Sequence, residues 1–340
     1  MKLCFEKIKE ITEGAVRMAE DADGIHFYRF TEEEEEYYKR TNEDFYKKTF
    51  STAGVKLSFI TDSEWMRISV STEKSSSRTY FSLDIFENGK MIGNIDNFSE
   101  SEMTGYYVGY KGQLGDFSGE FTLSEGEKEI TVYMPWSVAA TLRSLSLSDG
   151  AKVVAKRADK RIITYGDSIT HGYDAIRPSG RYASKLAEYL SADEICKAIG
   201  GDVFGKELVA AADTSLSPDY ISVAYGTNDW GRLERDECIE NCQAFYKILS
   251  EKYPFAKIFA LTPIWRRDLE EERKFGSFYD IEPMIFNAVE ALPNVYPISC
   301  FDFVPHNENM FADLRLHPND EGFCHYFSGI KEQIEKAFKG

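Results

Sequence analysis

RIITYGDS (161–168) is a short apolar run that stops in a Gly-Asp-Ser turn. Three runs of the same texture follow it: ISVAYGTND (221–229), KIFALTPIW (257–265) and NVYPISCFDF (294–303). Among them, PSGRYASKLAEYLSAD (178–193), CIENCQAFYKILSEKYP (238–254) and GFCHYFSGIKEQIEKAF (322–338) carry apolar residues at helical spacing. Apolar strands alternating with amphipathic helices predict βαβ units around a parallel sheet, an α/β architecture.

Upstream the texture differs. VKLSFIT (55–61), WMRISVST (65–72), RTYFSLDIFENGKMIGNI (78–95), GEFTLSEGEKEITVYMP (119–135) and TLRSLSLSDG (141–150) alternate apolar and polar residues at period two. ENGK (87–90) carries the Asn-Gly hairpin signal. Short strands at this spacing predict an antiparallel sandwich. TEEEEEYYKR (31–40) reads as a solvated helix start or loop, since runs of like charge usually face water. The polar, basic stretch GAKVVAKRADKR (150–161) marks the junction. It divides the chain into residues 1–155, a β-sandwich with a leading helical segment, and residues 156–340, the α/β domain. The 340 residues accommodate two such domains.

Composition narrows the function. Lys plus Arg is 40 and Asp plus Glu is 57, for a net charge of −17. A surface of that sign repels phosphate, which disfavours nucleic acid and anionic membranes as partners. Six Cys without a CxxC pair predict neither a disulfide framework nor a zinc site. No signal peptide or membrane span is expected, and cytoplasmic residence is the default reading.

Ligands of open α/β sheets bind beyond the carboxyl ends of the strands. Here those ends read YGDSIT (165–170), AIGGDVF (198–204), AYGTND (224–229) and LTPIW (261–265), and DLRLHPND (313–320) precedes the last helix. Ser168 at a strand-end turn has the position of a nucleophile, although Ser there also caps helices. His317 has the chemistry of a general base, although a loop His also serves as a cap. Asn228 and Gly201 offer a side-chain amide and an unshielded backbone N–H, and both also suit turns. Trp230, Trp265 and Tyr173 are candidates for stacking on a substrate, with packing as the alternative. A two-metal phosphoesterase would need a richer set of ligands than five His and scattered acids such as Asp167 and Asp229.

In order, GDSIT (166–170), IGGD (199–202), GTND (226–229) and LHPND (316–320) resemble the successive blocks of the SGNH (GDSL) hydrolase superfamily. The resemblance covers residues 160–340 and implies a flavodoxin-like three-layer domain that hydrolyses esters without metal or cofactor. It implies Ser168 as nucleophile and His317 as base, with the Ser168 N–H, the Gly201 N–H and the Asn228 side chain as oxyanion hole. One departure stands out. The family's orienting Asp lies three residues before the His, where this chain has Leu314, and Asp313 lies four before. Either a one-residue bulge presents Asp313, or a Ser-His dyad works with a backbone carbonyl.

A sandwich ahead of such a domain, jelly-roll-like, resembles the two-domain acetyl-xylan-esterase-like carbohydrate esterases. The substrate implied is a small acyl ester, in particular an acetylated oligosaccharide. A lysophospholipase- or thioesterase-like acyl hydrolase, or a non-catalytic carbohydrate-binding protein, are the alternatives. The oligomeric state is not legible.

Overall fold

A computed structural model describes residues 1–339. Five parallel strands form the sheet of the second half: β1 (Lys160–Gly166), β2 (Ala192–Cys196), β3 (Tyr220–Ala224), β4 (Lys257–Leu261) and β5 (Val295–Ile298). Their spatial order is β2-β1-β3-β4-β5, the doubly wound flavodoxin-like order, which reverses direction at β1 and β3. Five helices matter for the site: α1 (Ser168–His171), α2 (Tyr182–Tyr189), α3 (Arg235–Lys252), α4 (Ile281–Val289) and α5 (Asp320–Lys339).

Alternate residues of each strand feed opposite faces of the sheet. Ile163, Ile221, Val223 and Ile258 pack with Phe245 and Leu249 of α3 and Ile285 of α4. Ile162, Phe259 and Leu261 pack with Leu186 of α2 and Phe323 and Ile330 of α5. Three layers result, with both sheet faces covered.

The helical pattern read over 178–193 overshoots. Helix α2 ends at Tyr189, Ser191 takes a φ of +52°, and Ala192–Cys196 is the edge strand β2. The polar residues Asp193 and Glu194 hide that strand from a hydrophobicity reading.

The first half contains two antiparallel five-stranded ladders, one of them extended by Val153–Ala155 pairing with Lys56–Thr61. Leu57, Phe59, Leu83, Ile85, Ile130 and Val132 of one sheet face Ile25, Phe27, Met66, Val70, Leu142 and Leu145 of the other. The turn of the 82–96 hairpin places Asn88 at φ +49° and Gly89 at +75°, as the Asn-Gly signal requires. Two strands absent from the sequence reading, Arg17–Asp21 and Gly24–Tyr28, complete the second sheet. No helix among the described residues is long and apolar enough to cross a membrane.

The acidic stretch is not simply solvated. Glu32–Thr41 is a helix with a Thr31/Glu34 capping box, followed by the helix Glu43–Thr49. One face of the first helix is buried against the α/β domain. Glu34 pairs with Lys197, both fully buried, and the Tyr38 hydroxyl donates to Asp202 at 2.7 Å. Arg29, also fully buried, donates to the carbonyls of Cys196 and Ala198 at 2.7 and 3.2 Å. The exposed acids of the run follow the solvation rule. The two inner ones escape it because a cation 163 residues further on meets Glu34, and Arg17 meets Glu35.

Candidate active site

Strand β1 ends at Gly166, and Asp167 caps the short helix α1 by accepting from the Ile169 N–H at 2.9 Å. This turn leaves Ser168 as the first helical residue, beside the carboxyl ends of β1 and β3. Its Oγ lies 2.8 Å from His317 Nε2. On the other side of the imidazole, Nδ1 lies 2.8 Å from Asp313 Oδ2. The chain thus brings Ser168, His317 and Asp313 into one hydrogen-bonded series.

The spacing departure is absorbed at Leu314, whose φ is +55°. A non-glycine residue in that region costs about 1–2 kcal/mol. Asp313 offsets the cost by closing the turn: its Oδ1 accepts from the N–H groups of Arg315, Leu316 and His317 at 3.0, 2.7 and 3.0 Å. Burial works against the Asp313 carboxylate. The hydrogen bond and charge of His317, with the two backbone N–H groups of Leu316 and His317, nevertheless hold it well below the usual range. It is therefore a permanent acceptor for the Nδ1 proton, which leaves Nε2 free to accept from Ser168.

Gly201 has a φ of +94°, where a side chain is strained. The loop around it is tied down: the N–H groups of Ile199 and Asp202 donate to Gly166 and Ile199 carbonyls, each at 3.0 Å. The Gly200 N–H donates to His171 Nδ1 at 3.3 Å. His171 is fully buried, and its Nε2 contacts Ser51 Oγ at 2.8 Å and the Trp136 carbonyl at 3.0 Å. Burial, with the charges of Arg29 and Arg181, keeps this imidazole well below its ordinary pKa. His171 is a neutral strut between the first half and the loop that carries Gly201, and this role was not legible in the sequence. Asn228 begins the turn after β3, and its Nδ2 donates to the Asp202 carbonyl at 3.1 Å, which fixes the amide beside the same loop.

The aromatic candidates separate. Trp230, expected at a substrate pocket, is fully buried, and this expectation is corrected. Its Nε1 donates to the Gly276 carbonyl at 2.7 Å, and the guanidinium groups of Arg273 and Arg266 lie 4.3 and 4.9 Å from its ring centre. Both faces of the indole are packed, so none is offered to a sugar. Trp265 is half-buried and stacks on His306 with ring centres 5.4 Å apart. Tyr173 is buried beside the Ser168–His317–Asp313 series, its ring 5.7 Å from that of His317, and a Cβ on Gly200 would strike it at 2.6 Å. Among the described residues, its hydroxyl is buried without a hydrogen-bond partner.

Asp229 and Asp167 hold backbone N–H groups. Asp229 accepts from Phe204 and Gly226 at 3.0 and 2.9 Å. Burial pushes Asp229 up to about 7 and both Asp167 and Asp202 up to about 6. Each of these acids holds its proton more tightly folded than unfolded. The folded chain therefore binds extra protons between about pH 4 and 7, and their contribution to stability falls as pH rises through about 6 to 7. The net charge of −17 acts in the same direction. The thermal midpoint is expected to rise when the pH is lowered from 8 to about 5. The buried, neutral His171 acts in the opposite direction below about pH 6.5, so a rise shows that the carboxyls outweigh it, and a midpoint that falls in a His171→Asn background as well would mean that these carboxyls ionise normally.

Residues 164–323 match the model of the GDSL-like lipase/acylhydrolase family. Among solved structures, the chain is similar to the salicylyl-acyltransferase SsfX3 from a tetracycline biosynthetic pathway, at 17% identity, 96% and 94% coverage of the two chains and a TM-score of 0.78. It is similar to a family two carbohydrate esterase from Cellvibrio japonicus at 16% identity, 97% and 96% coverage and a TM-score of 0.66. An acetyl xylan esterase from Butyrivibrio proteoclasticus is similar at 16% identity, 85% and 92% coverage and a TM-score of 0.58. No curated protein matches the sequence. Identities this low speak for a shared fold across both halves of the chain.

Proposed function

From the premise that this chain carries an SGNH-type serine ester hydrolase domain, we propose that it cleaves short acyl esters, acetyl in particular, on carbohydrates. The observation that carries the reading is the series Ser168–His317–Asp313 with both links at 2.8 Å. Ser168 Oγ attacks the ester carbonyl while His317 Nε2 takes its proton. Asp313 keeps the other ring proton on Nδ1 and stabilises the imidazolium. The tetrahedral oxyanion is held by the N–H groups of Ser168 and Gly201 and the amide of Asn228. Collapse expels the alcohol, which takes the proton from His317. A water molecule then attacks the acyl-enzyme, giving its proton to the same nitrogen, and the carboxylic acid and free Ser168 result.

The carbohydrate part of the reading is supported by the similar carbohydrate esterases. A second reading, transfer of the acyl group to an acceptor other than water, is supported by the similar acyltransferase and uses the same acyl-enzyme.

The test is turnover of p-nitrophenyl esters from acetate to long chains, followed by acetylated xylo- and cello-oligosaccharides, with and without EDTA. Turnover confined to short chains, unchanged by EDTA and extending to the sugars, is expected. A preference for long chains would move the substrate to lipids or thioesters. Acylated product that appears only with an added alcohol would select the transferase.

A further inference from the structure

The imidazole of His317 meets a second carboxylate. Asp174 lies on the loop after α1, at a φ of +72°, with its side chain fully buried. Its Oδ2 is 3.3 Å from His317 Nδ1, the nitrogen that Asp313 Oδ2 approaches at 2.8 Å. The sequence reading passed over this residue, although it stands six positions after the nucleophile.

Asp174 is held from the first half of the chain. Arg78 grips it with two hydrogen bonds, Nε to Oδ1 at 2.6 Å and Nη2 to Oδ2 at 2.9 Å. The Tyr80 hydroxyl donates to Oδ1 at 2.7 Å, and the Tyr107 hydroxyl donates to the Asp174 backbone carbonyl at 2.6 Å. The next residue is held too, since Trp136 Nε1 donates to the Ala175 carbonyl at 2.8 Å. A strained backbone position fixed by three side chains from another part of the chain, with a fourth on its neighbour, is over-determined, a pattern concentrated at functional sites.

We propose that Asp174 is a positioning residue for His317, a second acceptor for its Nδ1 proton, and that Arg78 and Tyr80 set its strength. The N-terminal half would then tune the catalytic base without touching substrate. The proposal rests on the reading of His317 as general base. The charged and titratable groups facing the imidazole are Asp313 from its own loop, Asp174 backed by Arg78, and Asp167 and Tyr173 from the nucleophile side.

The arrangement gives shifts of opposite sign. Asp174→Asn removes an anion beside the imidazolium and leaves Arg78 uncompensated, so His317 should titrate about 0.5 or more lower in pH. Arg78→Met leaves the anion uncompensated, so His317 should titrate higher. The acid limb of kcat/KM should move with each. Asp174→Asn should lower kcat about tenfold with KM within about twofold. Asp313→Asn alone should cost about 10²-fold, because Asp174 still accepts the Nδ1 proton. The double variant should lose about 10⁴-fold, the cost of the wrong tautomer.

Titration of His317 by NMR, beside pH–rate profiles, tests this. If Asp174→Asn does not fold, Tyr80→Phe serves instead, since it removes one donor from the anion and should raise the His317 titration. Unmoved titrations in these variants would overturn the proposal, as would an Asp313→Asn loss equal to that of the double variant. The NMR titration needs no substrate. A wild-type protein inactive on every ester would therefore sink the esterase reading and leave this one to be judged on its own signal.

Discussion

Replacing Ser168 by Ala should abolish ester turnover, by about 10⁴-fold or more, while the fold survives. The nucleophile acts as one unit with its base, so its loss removes nearly the whole covalent route. What remains comes from oxyanion stabilisation and binding. The substitution deletes only a hydroxyl at a buried helix start, and the cap of α1 belongs to Asp167 rather than Ser168. Unfolding free energy should therefore change by only about 0.5–1.5 kcal/mol, the net worth of the one hydrogen bond lost to His317. Initial rates of purified wild type and variant on p-nitrophenyl acetate, with unfolding curves for both, are the measurement. Wild-type rates in the variant would show that another group attacks the ester, and the proposed mechanism would fall.

Asn228→Ala is expected to lower kcat by about 10²–10³-fold, the usual cost of one oxyanion donor. The split between kcat and KM carries the information. A donor aimed at the oxyanion strengthens its bond only as charge develops, so KM should hardly move. The bond from Asn228 Nδ2 to the Asp202 carbonyl orients the amide before substrate arrives. That preorganisation is what makes the interaction large. A raised KM with unchanged kcat would instead assign Asn228 to substrate binding.

Much of the catalytic half was legible because its signals are local. GDSIT and GTND each end a parallel strand that reads as an apolar run closing in a polar turn, whereas IGGD was legible as a motif without the strand before it. LHPND stands just before the last helix. The residues that escaped have partners far away in sequence. Trp230 carries the same strand-end signal whether its ring faces the crevice or the interior, and Arg266 and Arg273, which enclose it, lie 36 and 43 positions on. Glu34 looks like any member of an acidic run until Lys197 is brought to it. Strand Ala192–Cys196 reads as the tail of a helix because Asp193 and Glu194 sit at its start. The Asp313 spacing was legible as an anomaly, and Leu314 resolves it with a backbone conformation that its residue type does not advertise.

The packing of residues 29–50 against the 196–202 loop has a consequence for synthesis on the ribosome. Arg29, Glu34 and Tyr38 emerge early, yet the Cys196 carbonyl, Lys197 and Asp202 that meet them lie more than 160 residues later. At roughly 5–20 residues per second, that delay is on the order of ten seconds or more. Throughout it, Phe30, Tyr37, Tyr38 and Phe45 belong to a nascent segment in which they have only one another to pack against. Such early aromatic segments are natural clients for holding chaperones. The sandwich strands, whose partners lie nearer in sequence, have no need to wait for them.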